Sequence, residues 1–194
     1  MTEYTFGKVT TGIDNLEPRM MTHEQYESYK KWSTEISTTL KESATQKYSY
    51  KDCLISLEHI KYQPEYESWK YGSSTLAKSG CAIFCIEHGS KKHYSISVLT
   101  EKAAEMGYYE PGKGTWHHLF DRLGAVRLSY VQDIFSYLEK EKIVTVLYDH
   151  HFINLVGVRR ANFLVEDPMY ADQRAIPITE VFEGMRVAWA WKEF

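Results

Sequence analysis

The chain has almost no excess charge of either sign: 23 Lys and Arg stand against 26 Asp and Glu, a net charge of −3. That balance argues against a nucleic-acid footprint and against a polybasic membrane surface. Long hydrophobic runs are also missing. No stretch approaches the roughly 20 apolar residues of a membrane-spanning helix, and no signal-peptide core follows Met1, so a cytoplasmic setting is expected. There are only three cysteines, an odd number that does not make a disulfide framework and fits a reducing compartment. Neither an internal repeat nor a low-complexity segment is present. What the chain does have is 194 residues, 43% of them hydrophobic and 14% aromatic, enough for a packed core and one domain with a surplus.

Composition shifts near residue 50. Of the first fifty residues 32% are hydrophobic, below the value for the whole chain, and this separates an N-terminal portion (1–49) from the main domain (50–194). Residues 1–21 show no period and read as an extended or mobile arm. Thr22 and Gln25 then form a capping-box pattern. Behind them Tyr26, Tyr29, Trp32, Ile36 and Leu40 recur at spacings of three and four, a narrow helical stripe. A helix over 23–44 is expected, either packed on its own domain or available as a partner or self-contact. Further on, helices are expected over Cys81 to Gly89, Ser97 to Met106, Thr115 to Leu123 and Val131 to Lys142. Strands are expected over Ile143–Tyr148, His151–Val158, Asn162–Glu166 and Val187–Trp191. Helices first and a mostly antiparallel sheet afterwards make an α+β fold.

Cys81 follows Ser79-Gly80 and so falls in the first turn of its helix. Unpaired N–H groups and the helix dipole favour a thiolate at that place, and the glycine lets the backbone turn and a substrate approach. Cys85 lies one turn deeper and reads as helix packing, while Cys53 has no special context. A nucleophile needs a base from elsewhere in the fold. Of the eight histidines, His150 and His151 stand where a polar turn enters a strand, which would hold an imidazole at a sheet end. The next strand ends at Asp167-Pro168. If paired positions across the Arg159-Arg160-Ala161 turn sum to 318, His151 faces Asp167. If they sum to 320 the two are diagonal neighbours on one face, and an odd sum separates them unless a bulge intervenes. A carboxylate beside an imidazole fixes its tautomer and stabilises its cation. The same residues also read as an exposed turn histidine and a strand-ending Asp-Pro.

The ordered set Gln63, Trp69, Tyr71-Gly72, Ser79-Gly80-Cys81, Gly107-Tyr108-Tyr109, Gly112-Lys113-Gly114-Thr115-Trp116, His151-Phe152-Ile153-Asn154-Leu155-Val156-Gly157-Val158 and Phe163-Leu164-Val165-Glu166-Asp167-Pro168 resembles the double-glycine peptidases. These are the bacteriocin-leader-processing branch of the papain-like cysteine peptidases, together with their stand-alone relatives. The resemblance spans residues 50–192. It implies a papain-like fold in which a helical half carrying the cysteine helix packs on a sheet carrying the histidine and aspartate. It implies Cys81 as nucleophile, His151 as base, Asp167 as the residue orienting it and Gln63 as an oxyanion donor beside the Cys81 amide. Three departures stand out. Ala82-Ile83-Phe84 replaces the small residues that usually follow the cysteine, Gln63 lies eighteen residues before it rather than a few, and His150 replaces the usual glycine before the histidine.

The expected activity is therefore thiol-dependent hydrolysis of a peptide or related amide bond, with a peptide or protein substrate and no cofactor. Two alternatives use the same fold: an inactive peptide-binding module, and an acyltransferase or deamidase with the same nucleophile. Cys81, Cys85 and His88 lie at i, i+4 and i+7 on one helical face and, with His93 or the His150-His151 pair, are the candidate zinc set. Structural zinc draws its cysteines from C-x2–4-C loops rather than an apolar helix, so no metal is expected.

Overall fold

The computed structural model describes residues 22–55 and 60–191, so the expected arm over 1–21 lies outside the described residues. In chain order the elements are helix α1 (His23–Ala44), strand β1 (Cys53–Leu54), a 3-10 turn (Gln63–Tyr66), the short strands β2 (Lys70–Tyr71) and β3 (Ser74–Thr75), and helices α2 (Leu76–Ser79), α3 (Cys81–Gly89) and α4 (Ile96–Glu105). Strands β4 (Tyr109–Glu110) and β5 (Gly114–Thr115), helix α5 (His118–Arg122), strand β6 (Val126–Arg127) and helix α6 (Val131–Leu138) follow. The chain then runs through β7 (Val144–Tyr148), β8 (His151–Arg159), β9 (Asn162–Glu166) and β10 (Arg174–Pro177) to helix α7 (Ile178–Gly184) and strand β11 (Met185–Ala190).

The molecule is a mixed α+β fold. Its one large sheet is seven-stranded and antiparallel, in the order β10-β9-β8-β7-β11-β6, with β1 paired to β8 past the end of β7. Strand β8 is central and buried from Phe152 to Val158, so it reads as a continuous apolar run rather than an alternating one. Helix α3 lies against β8 and β7, with α4 beside it. Every residue from Ala82 to Gly89 is buried, which explains its apolar Ala82-Ile83-Phe84-Cys85-Ile86 run.

Helix α1 begins as its sequence predicts. The Thr22 hydroxyl accepts from Gln25 N at 3.2 Å and the Gln25 amide oxygen accepts from Thr22 N at 2.9 Å, closing the capping box. The helix packs on its own domain, against β11, α6 and α7, and Leu40 and Ser43 are buried there. The Ser43 hydroxyl accepts from Val131 N at 2.9 Å and so tethers the start of α6. The buried face is narrower than the expected stripe, because Tyr26 and Trp32 stay 40% and 43% exposed. What holds the first half of the helix is polar. Arg127 of β6 donates to Tyr29 Oη at 2.7 Å, to Ser33 Oγ at 2.8 Å and to Asp121 Oδ2 at 2.7 Å. Its guanidinium also lies 4.7 Å from the Trp32 ring centre and 5.2 Å from that of Trp189, and Trp189 Nε1 donates to Asp121 Oδ1 at 2.9 Å. Desolvation of the half-buried Asp121 raises its pKa, against the pull of Arg127 and its hydrogen bonds.

Two expected helices are shorter than their patterns. Thr115 is in β5, paired with Tyr109 of β4 around a turn closed by Lys113 N to Glu110 O at 3.0 Å, so α5 starts only at His118. Helix α6 stops at Leu138, and Glu141 follows with a left-handed φ of 58°. Strand β10 and helix α7 had no signal in the sequence reading.

Candidate active site

Cys81 is the first residue of α3, as its Ser79-Gly80 prefix predicts. Gly80, however, does not provide a left-handed turn: its φ is −94°. It provides close approach, since a Cβ there would stand 2.5 Å from Leu76 O. The short helix α2 therefore runs almost directly into α3, with Gly80 N donating to Leu76 O at 2.8 Å. In an unbroken helix the Cys81 N–H would donate to the carbonyl four residues back, that of Ala77. That carbonyl is taken by the Gln63 side chain instead, Nε2 to Ala77 O at 3.0 Å.

His151 is placed by the β8–β9 hairpin, and the hairpin's register answers the question left open by the sequence. Arg160 and Ala161 form a two-residue turn with φ of 48° and 61°. Near this turn Val158 pairs with Phe163 and Gly157 with Leu164, an odd register in which His151 and Asp167 would face opposite sides of the sheet. A bulge at Val156 then changes the parity, and Leu155 pairs with Val165 and Asn154 with Glu166. In the new register the two residues are diagonal neighbours on one face. His151 Nε2 donates to Asp167 Oδ1 at 2.6 Å.

With Nε2 committed to Asp167, Nδ1 is the ring nitrogen left, and Cys81 lies close enough to influence the charge of the ring. Burial alone would lower the His151 pKa. The Asp167 hydrogen bond, the proximity of Cys81 and the charge of Asp167 outweigh burial and hold the ring at about 10. The imidazole is therefore cationic at neutral pH. Its neighbour His150 stays exposed in the turn.

Asp167 is itself braced. Its Oδ1 also accepts from Met169 N at 2.9 Å, and Arg174 Nη1 of β10 stands 3.5 Å from its Oδ2. Gln63 sits between this carboxylate's turn and the cysteine helix. Its backbone N–H donates to Pro168 O at 2.8 Å, its side chain reaches Ala77 O, and its Oε1 is buried without a hydrogen-bond partner. The 3-10 turn thus folds Gln63 back onto the lead-in to Cys81 despite the eighteen intervening residues. All four residues singled out from the sequence meet in one region.

The helix and the sheet are tied together behind the site. Asn154, fully buried on β8, donates from Nδ2 to Cys85 O at 3.2 Å and accepts from Thr145 Oγ1 at 2.6 Å, and Trp191 Nε1 donates to Thr145 Oγ1 at 3.1 Å. In front, Tyr71 Oη and Thr115 Oγ1 are 2.7 Å apart, and Tyr71 lies close enough to Cys81 to feel its charge. Burial pushes the Cys85 thiol well above its ordinary range and also raises that of half-buried Cys53. Among the described residues no group of three His, Cys, Asp or Glu side chains is arranged to hold a metal ion, and no helix is long and apolar enough to cross a membrane.

Sequence reasoning missed Asn154 and Arg174. Asn154 stands out in retrospect as the one polar residue between Phe152 and Val158, whereas nothing in the polar Asp172-Gln173-Arg174 stretch marked Arg174. Compared with family models, curated proteins and solved structures, the chain matches none of them.

Proposed function

We propose that the chain is a thiol-dependent hydrolase of the papain-like kind, cleaving a peptide or related amide bond. The observation that carries this reading is the cationic His151 ring, bound to Asp167 through one nitrogen and set against the Cys81 side chain on its other side. Buried structural cysteines are common, but one at a helix start that shares its proton with a carboxylate-anchored imidazole is the arrangement of an activated nucleophile.

In this reading the thiol proton already rests on His151, and the Cys81 thiolate attacks the substrate carbonyl. The resulting oxyanion lies beside the start of α3. There the Cys81 N–H is relieved of Ala77 O, and the second Nε2 proton of Gln63 offers another donor. Collapse of the tetrahedral intermediate expels the amine, which leaves with the proton held by His151, and a thioester remains on Cys81. Water, deprotonated by the now neutral ring, attacks the thioester and releases the acid, and the Cys81 thiolate and the protonated ring are restored. Asp167 stays bound to the ring throughout and keeps it oriented.

The test is site-resolved labelling with a small electrophile such as iodoacetamide at neutral pH. Cys81 is expected to react at least tenfold faster than Cys53 or Cys85, and Cys81→Ala to abolish cleavage of a mixed peptide pool while the fold persists. Equal, slow labelling of all three thiols would remove the nucleophile and leave an inert interaction module.

A further inference from the structure

We propose that Arg174 is a specificity residue that recognises a carboxylate on the leaving-group side of the substrate, two to three residues beyond the scissile bond. This rests on the peptidase reading above and assigns its substrate class. The leaving amine receives its proton from His151, so the chain beyond the cut bond departs on the His151 side of the site. The surface there is fixed by three residues. Arg174 Nη1 stands 3.5 Å from Asp167 Oδ2 while His151 holds Oδ1 of the same carboxylate, so the guanidinium overlooks the ring from across one side chain. The charge of Arg174 also reaches the phenol of Tyr148, and Tyr148 is the residue paired with His151 across the β7–β8 ladder. The guanidinium carbon also lies over the Tyr170 ring, 4.1 Å from its centre.

Arg174 is held in place but is not saturated. Among the described residues its one carboxylate partner is Asp167, at the long end of hydrogen-bond range, and its side chain is 41% exposed. Glu180, one of two further carboxylates near Tyr148 along with Asp149, accepts the Tyr148 hydroxyl at 3.1 Å. Most of the five N–H donors of the guanidinium fork therefore remain open to solvent, and the Tyr170 ring 4.1 Å away supports the group from one side, leaving the fork to meet a carboxylate. The turn beneath is rigid. Tyr170 N donates to Asp167 O at 2.9 Å, Gln63 N to Pro168 O at 2.8 Å, and Gln173 Nε2 to Glu166 Oε1 at 3.2 Å. Across one carboxylate and one imidazole the fork lies on the order of 8–10 Å from the departing nitrogen, two to three residues of extended chain at about 3.3–3.6 Å each.

The probe is a pool of short, N-acetylated, C-amidated peptides. Each has Asp, Glu, Asn, Gln or Lys at the second and third positions after the cut, and a parallel set ends there in a free carboxylate. Cleavage by the full chain is read by mass spectrometry as kcat and KM. An acidic residue is expected to raise kcat/KM about tenfold over its amide, mainly through KM, since a charge-assisted hydrogen bond contributes about 1.5 kcal/mol or more. Comparing the two sets shows whether an internal acid or a chain terminus is the natural source of the carboxylate. Arg174→Gln should bring the acid-to-amide ratio to about one, and Arg174→Glu should turn the preference toward Lys. Both variants are first checked for selective Cys81 labelling, which shows an intact site. Cleavage with no acidic preference, or a preference that survives Arg174→Gln, overturns this assignment alone. If wild-type protein labels selectively at Cys81 yet cleaves no peptide, the peptidase reading fails and this one fails with it.

Discussion

At the scale of single residues, Asp167 has two roles on His151 that substitution can separate. It orients the ring by accepting from Nε2, and its charge helps hold the imidazolium. The folded His151 pKa is raised from the ordinary 6.5 to about 10, so its contribution to stability is fully present below about pH 6.5 and is lost as pH rises through about 10. Activity that needs the cationic ring should fall along the same alkaline limb. Asp167→Asn keeps an acceptor for Nε2 but removes the charge. Its alkaline limb should move down from about 10, because burial, the largest single influence on the ring, lowers it and the Asp167 charge no longer opposes that. Asp167→Ala loses orientation as well, and kcat should fall by about 10²–10⁴, more than in the Asn variant. A pH–rate profile of Cys81 alkylation, run beside turnover, checks both. An unmoved limb in Asp167→Asn would show that the carboxylate orients without stabilising charge.

At the scale of elements, the hairpin that carries the histidine and the aspartate depends on a bulge invisible in the sequence. The Arg159-Arg160-Ala161 turn, the two strands and their ends were legible, because apolar runs broken by turn residues have few alternatives. The parity was not, because it depends on β1 crossing beside β8, a contact between residues a hundred positions apart. Cys53 pairs with Val158 and Leu54 with Gly157, and a Cβ on Gly157 would meet Cys53 O at 2.4 Å. Gly157 is thus the place where two backbones meet next to the bulge. Gly157→Ala should cost about 1–3 kcal/mol of stability, since a backbone carbonyl cannot yield as a side-chain tip does. It should also lower activity by loosening the register that puts His151 and Asp167 on one face. Urea unfolding together with the Cys81 labelling rate tests this, and a variant with unchanged midpoint and rate would show that β1 moves aside freely. Gln63 followed the same logic. The residue was legible from the resemblance, but its position beside Ala77 O comes from a 3-10 turn with no periodicity to reveal it.

At the scale of the whole molecule, helix α1 joins the helical face to the far edge of the sheet. Its stripe was legible as a helix, but not as to what it would meet, since its anchor is a charge cluster rather than an apolar surface. Arg127, with a 2% exposed side chain, brings together Tyr29 and Ser33 of α1, Asp121 of α5 and the Trp189 ring of β11. Tyr29 in turn packs 4.2 Å from the His118 ring and 5.4 Å from that of Trp116, next to the β4–β5 hairpin whose Thr115 meets Tyr71 in front of Cys81. A chain of contacts therefore runs from α1 to the wall of the site. Arg127→Leu removes the cation and leaves Asp121 half-buried with only neutral partners, which should cost about 3–5 kcal/mol, because a broken buried pair is worse than no pair. Asp121→Asn in the same chain should recover part of that loss, since the uncompensated charge is then gone. Equilibrium unfolding of wild type, both single variants and the double variant closes the cycle. If α1 is integral to the domain, fluorescence of Trp32 and far-UV circular dichroism will report one transition that moves to lower denaturant in Arg127→Leu. Two separate transitions, with the helix released first and Cys81 labelling untouched, would instead make α1 an appendage that the site does not need.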